Sequence, residues 1–238
     1  MKRNVKVEFI CDKALYGVLP NPKPANKMLP QWFRKMSEFT PDGDKSPGTM
    51  KACIPLRDAM SSGYIIPLWT DIHAEQHLNE NVQFYTPSET NYGIGWHTEE
   101  QIKGSPLKNK SPINPWKLLN PWTIRTPKGY SCLITHPINQ PNDHIEFVSA
   151  IVDTDVFNAK INFPFLWKRP YGKEYFSDII PAGSPTVQVI PFKREDFEMD
   201  VRPSTDNDDS LWKKTLKTLD LSYNGKYRKW IWQRKKYR

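Results

Sequence analysis

Apolar and polar positions along residues 122–192 follow a period of two, broken at short intervals by turn residues. Tyr130-Ser131-Cys132-Leu133-Ile134-Thr135 alternates as a half-buried strand does, and Thr186-Val187-Gln188-Val189-Ile190-Pro191-Phe192 reads the same way. Between them, 147–155 and 159–165 predict a pair of strands, and Asp178-Ile179-Ile180 leads into the next turn. Pro127-Lys128-Gly129 and Pro181-Ala182-Gly183 mark turns by composition. Short strands at this spacing predict one compact β unit, a small barrel or sandwich. Upstream, 5–10 alternates as a strand, 63–69 reads as a buried strand and 82–85 as a shorter one. Residues 19–24 form an extended Pro-rich arm, and 29–36 predict a short helix with Trp32 and Phe33 turned inward. The segments 40–49 and 103–121 read as loops, so 71–121 is expected to be an irregular insertion. Near the end the period changes. Leu211, Trp212, Thr215, Leu216, Leu219 and Leu221 recur near helical spacing behind a linker and cap at 206–210, and Gly225 is placed to stop the helix.

Composition sharpens this mainly β picture. The chain has 22 prolines in 238 residues, roughly twice the usual ~5%, which leaves little room for long helices. No run of ~18 apolar residues is present, so no membrane partner is expected. The first residues lack the apolar stretch of a signal peptide, which predicts a cytoplasmic protein. Cys11, Cys53 and Cys132 are odd in number and far apart, against both a disulfide framework and a cysteine zinc site.

The net charge of +8 is unevenly spread. Residues 211–238 hold ten Lys/Arg against one acid, Asp220, while the rest of the chain has 24 basic and 25 acidic groups. The chain therefore divides into a β-rich domain, 1–205, with its core unit at 122–192, and a basic, aromatic helix and tail, 206–238. Within the tail, Arg228, Lys229, Trp230, Trp232, Arg234, Lys235 and Lys236 interleave cations with aromatic rings. Cations neutralise phosphates and rings stack on bases, so these seven are candidates for contact with nucleic acid or another polyanion. The simpler reading is that Trp230 and Trp232 dock on the body and the cations stay solvated. Attachment to a protein partner is a third.

Through Arg125-Thr126-Pro127, Gly129-Tyr130, the Pro/Asn/Asp-rich turn at 137–143, Ile151-Val152-Asp153-Thr154-Asp155 and the Pro181 to Pro185 turn, this stretch resembles an uncharacterised family of bacterial and phage proteins. More distantly it is similar to the deoxyuridine triphosphatase and deoxycytidine triphosphate deaminase superfamily. There a Pro-x-Gly-Tyr turn precedes a strand, a Val/Ile-Asp-x-Asp hairpin follows, and a Gly-x-x-x-x-Gln strand closes the unit; here these are Pro127 to Tyr130, Val152 to Asp155 and Gly183 to Gln188. The resemblance implies a β-clip fold, a homo-oligomer, and a location in host cytoplasm or virion for a phage product. It makes Asp153 the catalytic candidate, as the carboxylate orienting the attacking water, with Val156 or Phe157 where a tyrosine would stack under the base. Arg125, Tyr130, Asp155 and Gln188 become ligand-contact candidates. Two parts of the pattern are missing. Thr135-His136-Pro137-Ile138 stands where the phosphate-binding Arg-Ser-Ser should be, and the Gly-rich arginine-bearing tail is replaced by the basic aromatic one. The simplest role for Asp153 and Asp155 is then to cap their own turn.

Two further constellations complete the candidates. Phe163-Pro164-Phe165-Leu166-Trp167, followed by Lys168 and Arg169, could line a ligand groove with Arg169 as its anion ligand; core packing is the alternative. His73 and Glu75 with His136 or His144 have the residue types of an iron oxygenase triad, and Asp71, His73 and His77 could share one helical turn. Five histidines will often produce such spacing, and no metal site is assigned. With no phosphate loop, nucleophile elbow or zinc spacing, no cofactor is implied. The leading reading is a non-enzymatic binding or structural protein. A divergent deoxynucleotide hydrolase using Asp153 and a metal-dependent oxygenase using His73 and Glu75 are its rivals.

Overall fold

The computed structural model describes residues 4–40, 48–78, 80, 82–87, 92–107, 116–168, 175–220 and 227–238. Arg169 and the helix stop at Gly225 lie outside them. The protein is mainly β. In chain order its strands are β1 (Glu8–Ile10), β2 (Lys23–Pro24), β3 (Tyr64–Pro67), β4 (Ile72–Gln76), β5 (Gln83–Tyr85), β6 (Ile94–Trp96) and β7 (Trp116–Leu118). Then follow β8 (Thr123–Arg125), β9 (Tyr130–Thr135), β10 (Ile145–Phe147), β11 (Ala150–Val152), β12 (Phe163–Trp167), β13 (Phe176–Ile180) and β14 (Pro185–Lys193). The longer helices are α1 (Gln31–Lys35), α2 (Ile54–Ser61) and α3 (Asp206–Asp220), and a single π-turn covers Tyr227–Ile231. No helix among the described residues is long and apolar enough to cross a membrane.

The strands form four antiparallel sheets, ordered β11-β9-β14-β3-β2, β10-β12-β7-β6, β13-β4-β5 and β1-β8. Each order is open, so no barrel closes among the described residues. The two larger sheets share one core: Ile66, Cys132, Ile134, Val187 and Val189 from the first meet Leu118, Ile145, Phe147, Phe163, Phe165 and Trp167 from the second. Phe84 joins them edge-on, its ring 4.9 Å from that of Trp116 and 5.4 Å from that of Trp167. In the first sheet β14 is the centre, Gln188 lying opposite Ile65 on β3 and opposite Thr135 on β9. Burial on both faces explains why its apolar run is interrupted by so few polar residues.

The two turns read from Pro and Gly both form. Tyr130 N–H bonds Pro127 C=O and Ser184 N–H bonds Pro181 C=O, with Gly129 and Gly183 at φ of +86° and +85°. A positive φ at the third position is what a type II turn asks of its glycine. Other expectations change. The stretch 71–121 holds four strands, β4 to β7, which pair with one another as β4–β5 and β6–β7 and are completed from later in the chain, β4 by β13 and β7 by β12. Segments 147–155 and 159–165 do not pair as a unit. Instead β11 pairs β9, while β12 pairs β10 with Phe147 opposite Phe165. Helix α2 carries Pro55 in its first turn, where its missing N–H costs nothing. Residues 206–210 are the first turns of α3, not a linker. Thr205 Oγ1 accepts from the Asp208 amide (3.3 Å) while Asp208 Oδ2 accepts from the Thr205 amide (2.8 Å), a reciprocal cap.

Candidate functional site

The Asp153 candidate sits in a tight turn after β11. The carbonyl of Asp153 accepts the amides of Val156 (3.1 Å) and Phe157 (2.9 Å), and Thr154 between the two acids is fully buried against Thr126 and Cys132. This points the two carboxylates to the same edge, where Arg194, just past β14, receives both. Its Nη1 lies 3.2 Å from Asp153 Oδ1 and 2.9 Å from Asp155 Oδ1, and its Nη2 completes a bidentate pair with Asp155. The same Nη1 reaches Ser131 Oγ at 2.9 Å and the Tyr130 carbonyl at 3.2 Å. Ser131 Oγ in turn donates to Asp153 Oδ1 at 2.6 Å.

The two acids differ in kind. The Asp155 side chain is only 2% exposed and also accepts the Gly129 amide at 2.8 Å; Arg194 first, and that amide second, hold its pKa down at about 2. Asp153 is 58% exposed. Ser131 is fully buried, so its hydroxyl holds Asp153 in place and faces no substrate. The cluster ties the turns at 127–130 and 153–157 to the end of β14, as a charge-assisted clasp does.

The ligand candidates scatter. Tyr130 and Asp155 meet only through Arg194, and Arg125 stands opposite Glu8 in the β1–β8 pair. Gln188 is fully buried with its amide in use: Nε2 donates to the carbonyls of Ala59 (2.9 Å) and Ser62 (2.7 Å), and Oε1 accepts the Ile138 amide (2.9 Å). It fastens α2 and the 137–140 turn onto β14 and offers nothing to a ligand. At the phosphate-motif position, Thr135 bonds Ser149 and His136 bonds the Gln140 carbonyl, and burial lowers the His136 pKa. Phe163, Phe165 and Trp167 are core, not groove.

The histidine constellations separate as well. His73 and Glu75 lie on strand β4 rather than on a helix, Glu75 beside His77 (3.3 Å) and the Tyr175 hydroxyl. His144 faces Asp178 at 3.1 Å, and His136 stacks on Phe147. No three His, Cys, Asp or Glu groups converge as a metal site among the described residues.

The basic tail does come together with the body. Trp232 Nε1 and Lys235 Nζ both donate to Asp58 Oδ2 on α2, at 2.7 and 2.6 Å, and the Tyr237 ring packs edge-on against Tyr64 at 5.9 Å. Trp230 stays 64% exposed beneath the Lys229 ammonium. Between tail and α2 lies a cavity of 430 Å³ lined by Arg57, Arg228, Arg234, Lys235, Lys236 and Arg238 together with Trp232 and Asp58. On the other side of the tail, Tyr64 and Tyr130 line a second, wider cleft. Neither space reaches Asp153. Arg57, Asp58 and Arg194 were missed in the sequence: Arg57 lines the cavity, and Asp58 and Arg194 act through partners more than 35 residues away in the chain.

No protein-family model matches the chain, and no curated protein matches it. Among solved structures, a mutant dUTPase of Staphylococcus bacteriophage 80alpha, solved with dUpNHpp, is similar over 86% of this chain and 91% of its own, at 10% identity and a TM-score of 0.37. At that overlap it assigns no substrate and no site residue.

Proposed function

We propose that the protein is a polyanion-binding protein whose site is the cavity between the docked tail and α2, with single-stranded nucleic acid as the occupant. One observation carries the reading: six cations line a single 430 Å³ cavity in which the one side-chain carboxylate among the lining residues, Asp58, already accepts from Trp232 and Lys235. Holding so many like charges together is unfavourable unless something anionic compensates them. The aromatic content favours nucleic acid over a simple anion. Trp230 presents an exposed ring at the tail's surface, and base stacking on such a ring contributes about 1–3 kcal/mol per base without regard to sequence. Docking fixes the tail before the ligand arrives, which lowers the ordering cost of binding.

Fluorescence anisotropy with a labelled single-stranded oligonucleotide, at low and high salt, tests this. Each phosphate neutralised contributes a slope of roughly −0.7 in log K against log salt, so full engagement of the site gives a slope on the order of −4. The Arg57→Glu/Arg228→Glu variant should weaken binding and lose at least the contribution of two phosphates, roughly a third of this slope. Binding that is flat in salt, or unchanged in that variant, overturns the proposal.

A further inference from the structure

Beyond β14 the chain carries a strand-like segment that pairs with no strand among the described residues. From 194 to 205 it runs without helix or turn. Phe197, Met199 and Val201, 87%, 86% and 83% exposed, alternate along the chain with Asp196, Glu198 and Asp200. On an extended backbone this alternation gives one apolar and one acidic face, the sequence pattern of a half-buried strand. Consecutive large apolar side chains this exposed mark an interaction surface. The segment is anchored at both ends. Arg194 is fixed by the Asp153–Asp155 clasp and by its amide on the Gly129 carbonyl (2.8 Å), and Arg202 pairs with Asp208 in the first turn of α3.

A complementary surface exists on the same chain. The 690 Å³ cleft is lined by Val7, Tyr64 and Tyr130 and by the cations Arg234, Lys236 and Arg238, with no side-chain carboxylate among its lining residues. We propose that residues 195–201 of one copy of this chain dock in this cleft of a second copy. Apolar side chains would face Val7, Tyr64 and Tyr130, and the acids would face the three cations. Charge complementarity selects the acidic arm. Geometry selects the second copy. Tyr130 and Pro191, at the root of the arm, border the cleft, so a chain could fill its own cleft only by reversing direction at once, and residues 195–201 contain no Gly, Pro or turn. The contact is heterologous, arm of one copy into cleft of the next. Arg234, Lys236 and Arg238 line both spaces, so arm docking and polyanion binding compete for them.

Sedimentation velocity on the full chain across the micromolar range tests the proposal. Wild type should associate. The Asp196→Lys/Glu198→Lys/Asp200→Lys variant, and separately Phe197→Ser/Met199→Ser, should each weaken association at least about tenfold while keeping the wild-type melting temperature, because these side chains touch little in their own copy. Arg234→Glu/Lys236→Glu/Arg238→Glu should also dissociate. Mixing it with the lysine-arm variant should restore association, since a basic arm then meets an acidic cleft in another chain. A monomeric wild type, arm variants that associate normally, or a mixture that stays dissociated would each overturn it. Arg57→Glu/Arg228→Glu changes only the nucleic-acid cavity and should associate as wild type does.

Discussion

Replacing Gln188 by Met keeps the length of a fully buried side chain and removes its hydrogen bonds. Three backbone groups lose a partner: the carbonyls of Ala59 and Ser62 and the amide of Ile138. The Ala59 carbonyl still accepts the Ser62 amide at 3.4 Å, so most of the loss falls on the other two. Leaving a buried donor or acceptor unsatisfied costs about 1–3 kcal/mol. Two such groups, both near the edge of the core, give roughly 2–4 kcal/mol. For a chain of this size 1 kcal/mol shifts the melting temperature by about 2–4 °C, so the variant should melt on the order of 5–15 °C lower. Scanning calorimetry and urea unfolding of wild type and Gln188→Met measure it. A ligand-contact glutamine would behave differently, losing affinity and keeping stability. Melting within about 2 °C of wild type would refute the fastening role, since burial with all polar atoms engaged cannot be lost for so little.

Three other perturbations probe the clasp, the core turn and the tail. Asp155 has its pKa lowered from 3.8 to about 2 by Arg194, so it contributes stability that is complete above pH 3.8 and lost as the pH falls toward 2. Arg194→Met should flatten the acid limb of a stability–pH curve measured between those values, and parallel limbs would count against the clasp. Gly63 sits at φ +69° with a Cβ position 2.0 Å from the Val189 carbonyl oxygen. Gly63→Ala should therefore cost more than ~2 kcal/mol by urea titration, strain alone contributing about 1–2. Trp232→Phe removes the indole bond to Asp58 and should cost about 1–2 kcal/mol of tail docking, read as faster proteolytic clipping of 227–238 with the body's melting temperature unchanged.

The strands of 122–192 were legible because period-two alternation and Pro/Gly turns are local signals. What stayed hidden is long-range. Arg194 falls two residues after the run that marks β14. Only the β14–β9 register, Lys193 opposite Tyr130, sets it beside the Asp153 turn. The alternation in 71–121 is weak because each of its strands is three to five residues long and takes its identity from a partner: β4 from β13, about a hundred residues on. Glutamine in an alternating strand looks like an outward-facing residue. The carbonyls at the end of α2 turn Gln188 into an interior fastener.

Charge was legible as a sum and hidden as an arrangement. Residues 195–209 carry seven acids and one arginine, and the chain then turns basic within a few residues. In a single copy these halves stay apart, the acidic arm uncovered and the cations gathered on α2 and Tyr64 around the docked tail. With Asp58 already engaged by Trp232 and Lys235, two ways remain to neutralise the rest of the basic face: an external polyanion, or the acidic arm of another copy. Both use Arg234, Lys236 and Arg238. Added oligonucleotide should then dissociate the assembled wild-type protein, and the lysine-arm variant should bind oligonucleotide at least as tightly as wild type. Nucleic-acid affinity and self-association are thereby set against one another by three side chains of the tail.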